Sequence, residues 1–288
     1  MKIRTQYELL RDVHFRRTIR KVKRLRIFVY ILANKYQELN SLLRYRTTDM
    51  FTDFNIETIT TCNRRCSYCP NSIFERSLPK NEKLMDKELY KKIIDELAEM
   101  KFSGRISPYF YGEPLLDKRL PELLTYTRKR LPKAKIMIAS NGDLLTIELY
   151  KKLIAAGING FMITQHGQEM SKNMSLLFEY LRKHPTKEAF LAYQSYHPSE
   201  PLSSRGGTIK PETVDDVPRC LSPTNPVVIT YKGDVVLCCN DYHSSVVFGN
   251  VQTESLVDIW NSKRYKSIRH QLKKRIYKLP ICRQCVGA

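Results

Sequence analysis

From Phe54 to about Ser195 the sequence alternates short β-prone runs with stretches whose apolar residues recur three and four positions apart. Few architectures accept that rhythm. The strand candidates are Phe54–Thr60, Ile106–Tyr111, Ile136–Ser140, Gly160–Thr164 and Ala189–Gln194. Between them lie the helix candidates Asp86–Met100, Pro121–Arg130, Ile147–Ala156 and Met170–His184. Strand–helix alternation predicts an α/β fold built on a parallel sheet with right-handed crossovers, open or closed as a barrel. Chemistry in such folds sits on the loops that leave the C-terminal ends of the strands.

Beyond this region the pattern changes. A stretch rich in Pro, Ser and Gly runs from Pro198 to Pro218. Val227–Tyr231 and Asp234–Leu237 then flank Lys232-Gly233, which predicts a β-hairpin with a tight turn. Ser255 is placed to cap a short helix toward Trp260, and a basic helix follows from Arg264 to about Ile276. The expected organisation is a basic helical extension over 1–50, an α/β domain over 51–197, a linker over 198–219 and a small second domain over 220–288.

Charge narrows the partners. The 288 residues carry 49 Lys and Arg against 29 Asp and Glu, a formal net charge of +20. Residues 1–50 alone hold 13 basic against four acidic side chains. Such an excess points to an anionic partner: nucleic acid, a membrane surface or a phosphorylated substrate. Nucleic acid is disfavoured, because the charge gathers at the two ends and no aromatic-interleaved recognition motif is present. Basic helices also suit peripheral docking on an anionic membrane. The best apolar run, Ile27–Ala33, is far below the roughly 20 residues that span a bilayer, and the charged first residues do not read as a signal peptide. A cytoplasmic location is expected, where clustered cysteines indicate metal or catalysis rather than disulfides.

Eight cysteines fall into two groups. The first, Cys62-Asn-Arg-Arg-Cys66-Ser-Tyr-Cys69, follows the first strand candidate. Three thiolates in one loop can hold three irons of a four-iron cluster and leave the fourth iron open. A zinc knuckle is the alternative, but it wants a fourth ligand nearby, and no other Cys or His lies between Ser72 and Asn141. This spacing, with an aromatic before the last cysteine, resembles the signature of the radical S-adenosylmethionine (radical SAM) superfamily. The resemblance implies a partial (β/α)6 barrel and a 4Fe-4S cluster on Cys62, Cys66 and Cys69. Its open iron would chelate S-adenosylmethionine and reduce it to methionine and a 5′-deoxyadenosyl radical. It further implies that Tyr68 packs on the adenine. Gly112 and Glu113 of Tyr111-Gly112-Glu113-Pro114 match the family's Gly-Gly-Glu, which binds the amino group of the cofactor. Ser140 and Asn141 match residues that contact its ribose or carboxylate, and Gln165, beside His166, stands at a further contact position. Gly-Glu-Pro and Ser-Asn-Gly are also common turn sequences, and a lone histidine such as His166 is more often structural.

The second group is Cys220, Cys238, Cys239, Cys282 and Cys285. With Lys232-Gly233-Asp234, Gly249-Asn250 and Asp258-Ile-Trp260, it resembles the small C-terminal α+β twitch domain of radical SAM enzymes, a shortened SPASM domain. That likeness implies an auxiliary 4Fe-4S cluster on Cys220, Cys238, Cys282 and Cys285; a four-cysteine zinc site is the alternative. Cys239 is then left over. It is either a hydrogen-atom donor to a substrate radical, as in some epimerases of the superfamily, or a small buried residue. Adjacent strand residues point to opposite faces, so Cys238 and Cys239 are not expected to ligate one cluster. Arg205, in Arg205-Gly206-Gly207, is a candidate for the cofactor carboxylate or a substrate oxygen, or else a solvated linker arginine.

The expected activity is hydrogen abstraction from a polar C–H bond of a small polar sugar- or aminocyclitol-like substrate, which could be anionic or phosphorylated, giving oxidation or epimerisation. The expected partner is a one-electron donor such as flavodoxin or ferredoxin. Modification of a ribosomal peptide is a second reading, and a zinc-containing nucleic-acid-binding protein a third.

Overall fold

The computed structural model describes residues 45–185, 188–196, 203–210, 220 and 224–286, with scattered positions between Leu32 and Leu43. Most of the basic extension read over 1–50, residue 197 at the end of the α/β domain, and residues 198–202 and 211–219 of the linker lie outside the described residues. The elements run β1 (Asp53–Ile56), α1 (Lys87–Glu99), β2 (Arg105–Ser107), α2 (Leu120–Arg130), β3 (Lys135–Ser140), α3 (Ile147–Ala155), β4 (Gly160–Gln165), α4 (Lys172–Lys183) and β5 (Phe190–Ser195). They continue with β6 (Pro226–Ile229), β7 (Asp234–Val236), β8 (Val247–Asn250), α5 (Leu256–Asn261), α6 (Lys263–Lys273) and α7 (Pro280–Val286).

Local chemistry sets the helix starts. Asp86, Thr146, Ser171, Ser255 and Ser262 each accept a bond from a backbone N–H in the first turn of the helix that follows. These caps satisfy donors that would otherwise be orphaned.

Strands β1 to β5 form a parallel α/β sheet, as the alternation predicts. The complete eight-stranded sheet has the order β5-β4-β3-β2-β1-β6-β7-β8. Its sixth parallel strand does not follow β5 at that edge: β6 lies on the free side of β1, pairing Phe54 with Val227 and Ile56 with Ile229. The expected hairpin is then β6–β7, antiparallel, and β8 extends it.

Because β6 continues the barrel sheet, the C-terminal region shares a core with it. Phe54, Ile56 and Ile106 pack with Val227, Ile229, Val235, Leu256 and Trp260 in one buried cluster under α1. A second cluster lies under α3 and α4. Strand alternation then turns the side chains between these residues, such as Asn55 and Ser107, toward the opposite, inner face of the sheet. Among the described residues no helix is long and apolar enough to cross a membrane.

Candidate active site

Cys62, Cys66 and Cys69 sit in the loop beyond β1, all half-buried. Cys69 N donates to Cys66 O at 2.9 Å, and Arg64 N approaches Cys62 Sγ at 3.5 Å. Burial pushes the Cys62 thiol up to about 11, and Glu113, Cys66 and Cys69 add to the rise. Three soft thiol donors within electrostatic reach of one another suit an iron–sulfur cluster. Among the described residues no group of three or more His, Cys, Asp or Glu converges on a single ion position.

The loop is fastened to its neighbours. A Cβ on Gly112 would lie 1.9 Å from the Ile59 carbonyl oxygen, so only glycine lets the loop after β2 come this close. Glu113 N then donates to Thr61 O at 2.8 Å. The Glu113 side chain is buried and accepts from Ser140 Oγ at 2.6 Å, Asn141 N at 3.0 Å and Leu115 N at 3.2 Å. Burial raises its carboxyl above the usual carboxylate range, and these bonds oppose the rise. Gly112, Glu113, Ser140 and Asn141 therefore form one constellation beside Cys62. A second tie, unmarked by any of the sequence motifs, joins the loop to the end of β3. Arg64 donates to both oxygens of Asp143, at 2.5 and 2.7 Å, while Asn141 Nδ2 reaches Asn63 Oδ1 at 2.9 Å. An Asn-Gly-Asp turn at the end of β3 was the available signal.

Tyr68 lies nearby, its phenol hydrogen-bonded to His166 Nδ1 and its ring packed on Tyr196 with centroids 4.0 Å apart. Burial lowers the His166 pKa, with Arg64 acting in the same direction. Gln165 is tied to the end of its own strand and to β5: its Nε2 donates to Gly167 O and Gln168 O, and its Oε1 accepts from Tyr193.

The second cysteine group gathers where β7, the linker and α7 meet. Cys238 lies within electrostatic reach of Cys220 and Cys285, and Cys282 within reach of the same two. Burial pushes Cys282 up to about 12, with Cys220 and Cys285 adding. Asp241 shapes the intervening loop, accepting from Ser245 N at 2.7 Å and Val246 N at 3.0 Å. Cys220 N donates to Tyr277 at 3.1 Å.

Between the two groups is a polar mouth. Burial pushes Cys239 up, opposed by the adjacent Arg205 cation. Tyr109 and Tyr111 are also raised by burial, and both feel Cys239 and Arg205. Arg205 further influences Cys69, so it stands within reach of both cysteine groups. Neither Tyr109 nor Tyr111 was singled out as a site residue from sequence. A cavity of about 450 Å³ opens beside them, lined by Phe74, Arg205, Asn240, His243 and Gln284 among others.

A parallel barrel with a cysteine-rich loop at the mouth, and a second cysteine group at the chain's end, defines a redox enzyme of the iron–sulfur radical type. The radical SAM superfamily model matches residues 56–188, and the iron–sulfur cluster-binding SPASM domain model matches residues 220–286. The chain is 34% identical over 244 residues to the S-adenosyl-L-methionine-dependent 2-deoxy-scyllo-inosamine dehydrogenase of Niallia circulans, covering 82% of this chain and 93% of that protein. The crystal structure of BtrN with AdoMet and 2-DOIA superposes with a TM-score of 0.72 at 33% identity, covering 82% of this chain and 93% of BtrN. An open conformation of BtrN matches at 0.61 and 29%, covering 83% and 92%. The chain belongs to the radical SAM superfamily. It is a radical SAM enzyme whose cofactors are a 4Fe-4S cluster, an auxiliary cluster and S-adenosylmethionine. That membership sets aside the zinc nucleic-acid reading, and the likeness to the 2-deoxy-scyllo-inosamine dehydrogenase favours the small polar substrate over a peptide.

Proposed function

We propose that this enzyme oxidises a carbinol carbon of a small polyhydroxylated ring, an aminocyclitol or sugar, to a ketone. The observation that carries the reading is the convergence of Tyr109, Tyr111, Arg205 and Cys239 between the two cysteine groups. Within it the Tyr111 hydroxyl and Arg205 Nε are buried with no hydrogen-bond partner among the described residues. Each such group costs about 1–3 kcal/mol when left unsatisfied, so a ligand rich in hydroxyls is the natural complement. The dehydrogenase name of the Niallia relative supports the same substrate class.

In this reading Cys62, Cys66 and Cys69 hold the radical cluster, and Cys220, Cys238, Cys282 and Cys285 hold the auxiliary one. Tyr68, Gly112, Glu113, Ser140, Asn141 and Gln165 surround S-adenosylmethionine. When bound, these groups would supply hydrogen-atom abstraction at the carbinol carbon and an acceptor for the remaining electron, the hydroxyl proton passing to solvent. The chain's own part is to orient the ring. Arg205 fixes one substrate oxygen, and the two tyrosines present hydroxyls to others. An acidic one-electron carrier such as flavodoxin or ferredoxin reduces the enzyme. The basic N-terminus contacts an anionic surface or partner, which suits a cytoplasmic protein that associates peripherally with membranes.

Epimerisation is the second reading, favoured by the position of the Cys239 thiol beside Arg205 and both tyrosines, where it could return a hydrogen atom. The test is anaerobic reconstitution with iron and sulfide, then reduction with S-adenosylmethionine and 2-deoxy-scyllo-inosamine. The expected products are 5′-deoxyadenosine and an equimolar ketone. No 5′-deoxyadenosine with any reductant would overturn the radical chemistry. Cys239→Ser separates the two readings: a dehydrogenase keeps its ketone yield, whereas an epimerase stalls or releases oxidised product.

A further inference from the structure

Arg205 reaches the mouth from a turn with an uncommon backbone. Arg205, Gly206 and Gly207 have φ of 50°, 69° and 85°. For the arginine that left-handed conformation costs about 1–2 kcal/mol and persists only where the surroundings enforce it. Here α7 enforces it. Ser204 Oγ donates to Gln284 O at 3.0 Å. A Cβ on Gly206 would meet the Ile281 side chain at 2.6 Å, and one on Gly207 the Gln284 side chain at 2.5 Å. The same helix carries Cys282 and Cys285.

One side chain joins the two directly. Asn240 Oδ1 accepts from Arg205 Nη1 at 3.2 Å, while its Nδ2 donates to Cys285 Sγ at 3.4 Å, an ordinary length for the larger sulfur atom. The opposite amide orientation would aim its NH2 at the guanidinium, two donors face to face, and, with Cys285 a thiolate ligand, its carbonyl at an acceptor sulfur, so the network assigns the amide as written.

We propose that Asn240 is a positioning residue that couples Arg205 to the auxiliary cluster and raises the cluster's reduction potential through its bond to Cys285. The proposal rests on the reading of Cys220, Cys238, Cys282 and Cys285 as ligands of that cluster. Reduction adds negative charge to a cluster and its thiolates, and an N–H aimed at a sulfur stabilises that charge, favouring the reduced form. In a dehydrogenase this makes the cluster a better acceptor of the substrate electron. The carbonyl of the same amide holds the guanidinium that faces the substrate. One side chain thereby sets both the grip on the ring and the destination of its electron.

The test is an EPR-monitored redox titration of the full-length, anaerobically reconstituted enzyme. The radical cluster is identified as the signal that changes when S-adenosylmethionine is added. Asn240→Asp preserves the acceptor for Arg205 but presents an anionic oxygen to Cys285; Asn240→Ala removes the donor without adding charge and serves if the aspartate variant loads incompletely. The auxiliary midpoint is expected to fall in both, further in Asn240→Asp, with the radical cluster unmoved. An unmoved auxiliary midpoint, or two midpoints that shift together, overturns the proposal. Iron and EPR signals for only one cluster in the wild-type protein would instead refute the ligand assignment beneath it.

Discussion

Gly112 and Glu113 divide a single task at the residue scale. Gly112 lets two backbones touch, and Glu113 uses that contact to bring a carboxylate among Ser140, Asn141 and Leu115. Replacing Gly112 by Ala puts a methyl 1.9 Å from the Ile59 carbonyl oxygen, where backbone rather than a flexible side chain must give way. The variant is expected to lose most of the iron of the first cluster, as measured by iron and sulfide content per chain. Glu113→Gln keeps the shape but removes the charge beside Cys62. A hydrogen bond to a charged group is worth about 1.5–3 kcal/mol, so S-adenosylmethionine affinity is expected to fall about tenfold or more, as measured by equilibrium dialysis on reconstituted enzyme. An unchanged affinity would remove Glu113 from the cofactor site. The motif Gly112-Glu113 was legible because its spacing matched a family. The roles of Tyr109 and Asn240 were not, since nothing local marks a tyrosine or asparagine as facing a site that other strands and the final helix complete.

The start of the described chain is stitched to the C-terminal helices, a link between elements that composition suggested only as a basic extension. Trp260 Nε1 donates to Asp49 O at 2.7 Å, and Arg269 donates to both Asp49 carboxylate oxygens, at 3.2 and 2.8 Å. The Arg269 guanidinium also lies 3.8 Å from the Trp260 ring centroid. Read as one of many basic residues, Arg269 would belong to a solvated face; α6 instead turns it inward, leaving its side chain 2% exposed. Asp49→Ala strands this buried cation. Because Asp49 itself is partly open to water, the expected loss is about 2 kcal/mol, below the roughly 3–5 kcal/mol seen when deeply buried pairs are broken. Denaturant unfolding of the apo protein checks it, and Arg269→Met, which fills the site without charge, should be milder.

For the whole molecule, the main consequence lies in where β6 pairs. Two separable domains would leave a barrel that folds without the C-terminal region. Here β6 zips along β1, and Val227, Ile229 and Trp260 fill the core under α1. A chain ending at residue 219 is therefore expected to be insoluble or to lack a cooperative thermal transition by circular dichroism; a cooperative transition would show that the barrel is autonomous. Strand–helix order, the Ser255 cap and the two cysteine groups were legible in the sequence, because periodicity, capping and ligand spacing are local properties of a few consecutive residues. That the hairpin completes the barrel sheet, that Asp49 and Arg269 meet, and that Arg205, Asn240 and Cys239 lie together with Tyr109 and Tyr111 emerged with the three-dimensional fold. Those contacts join residues tens to hundreds of positions apart, and they follow from strand pairing and shared burial, which no short window of sequence encodes.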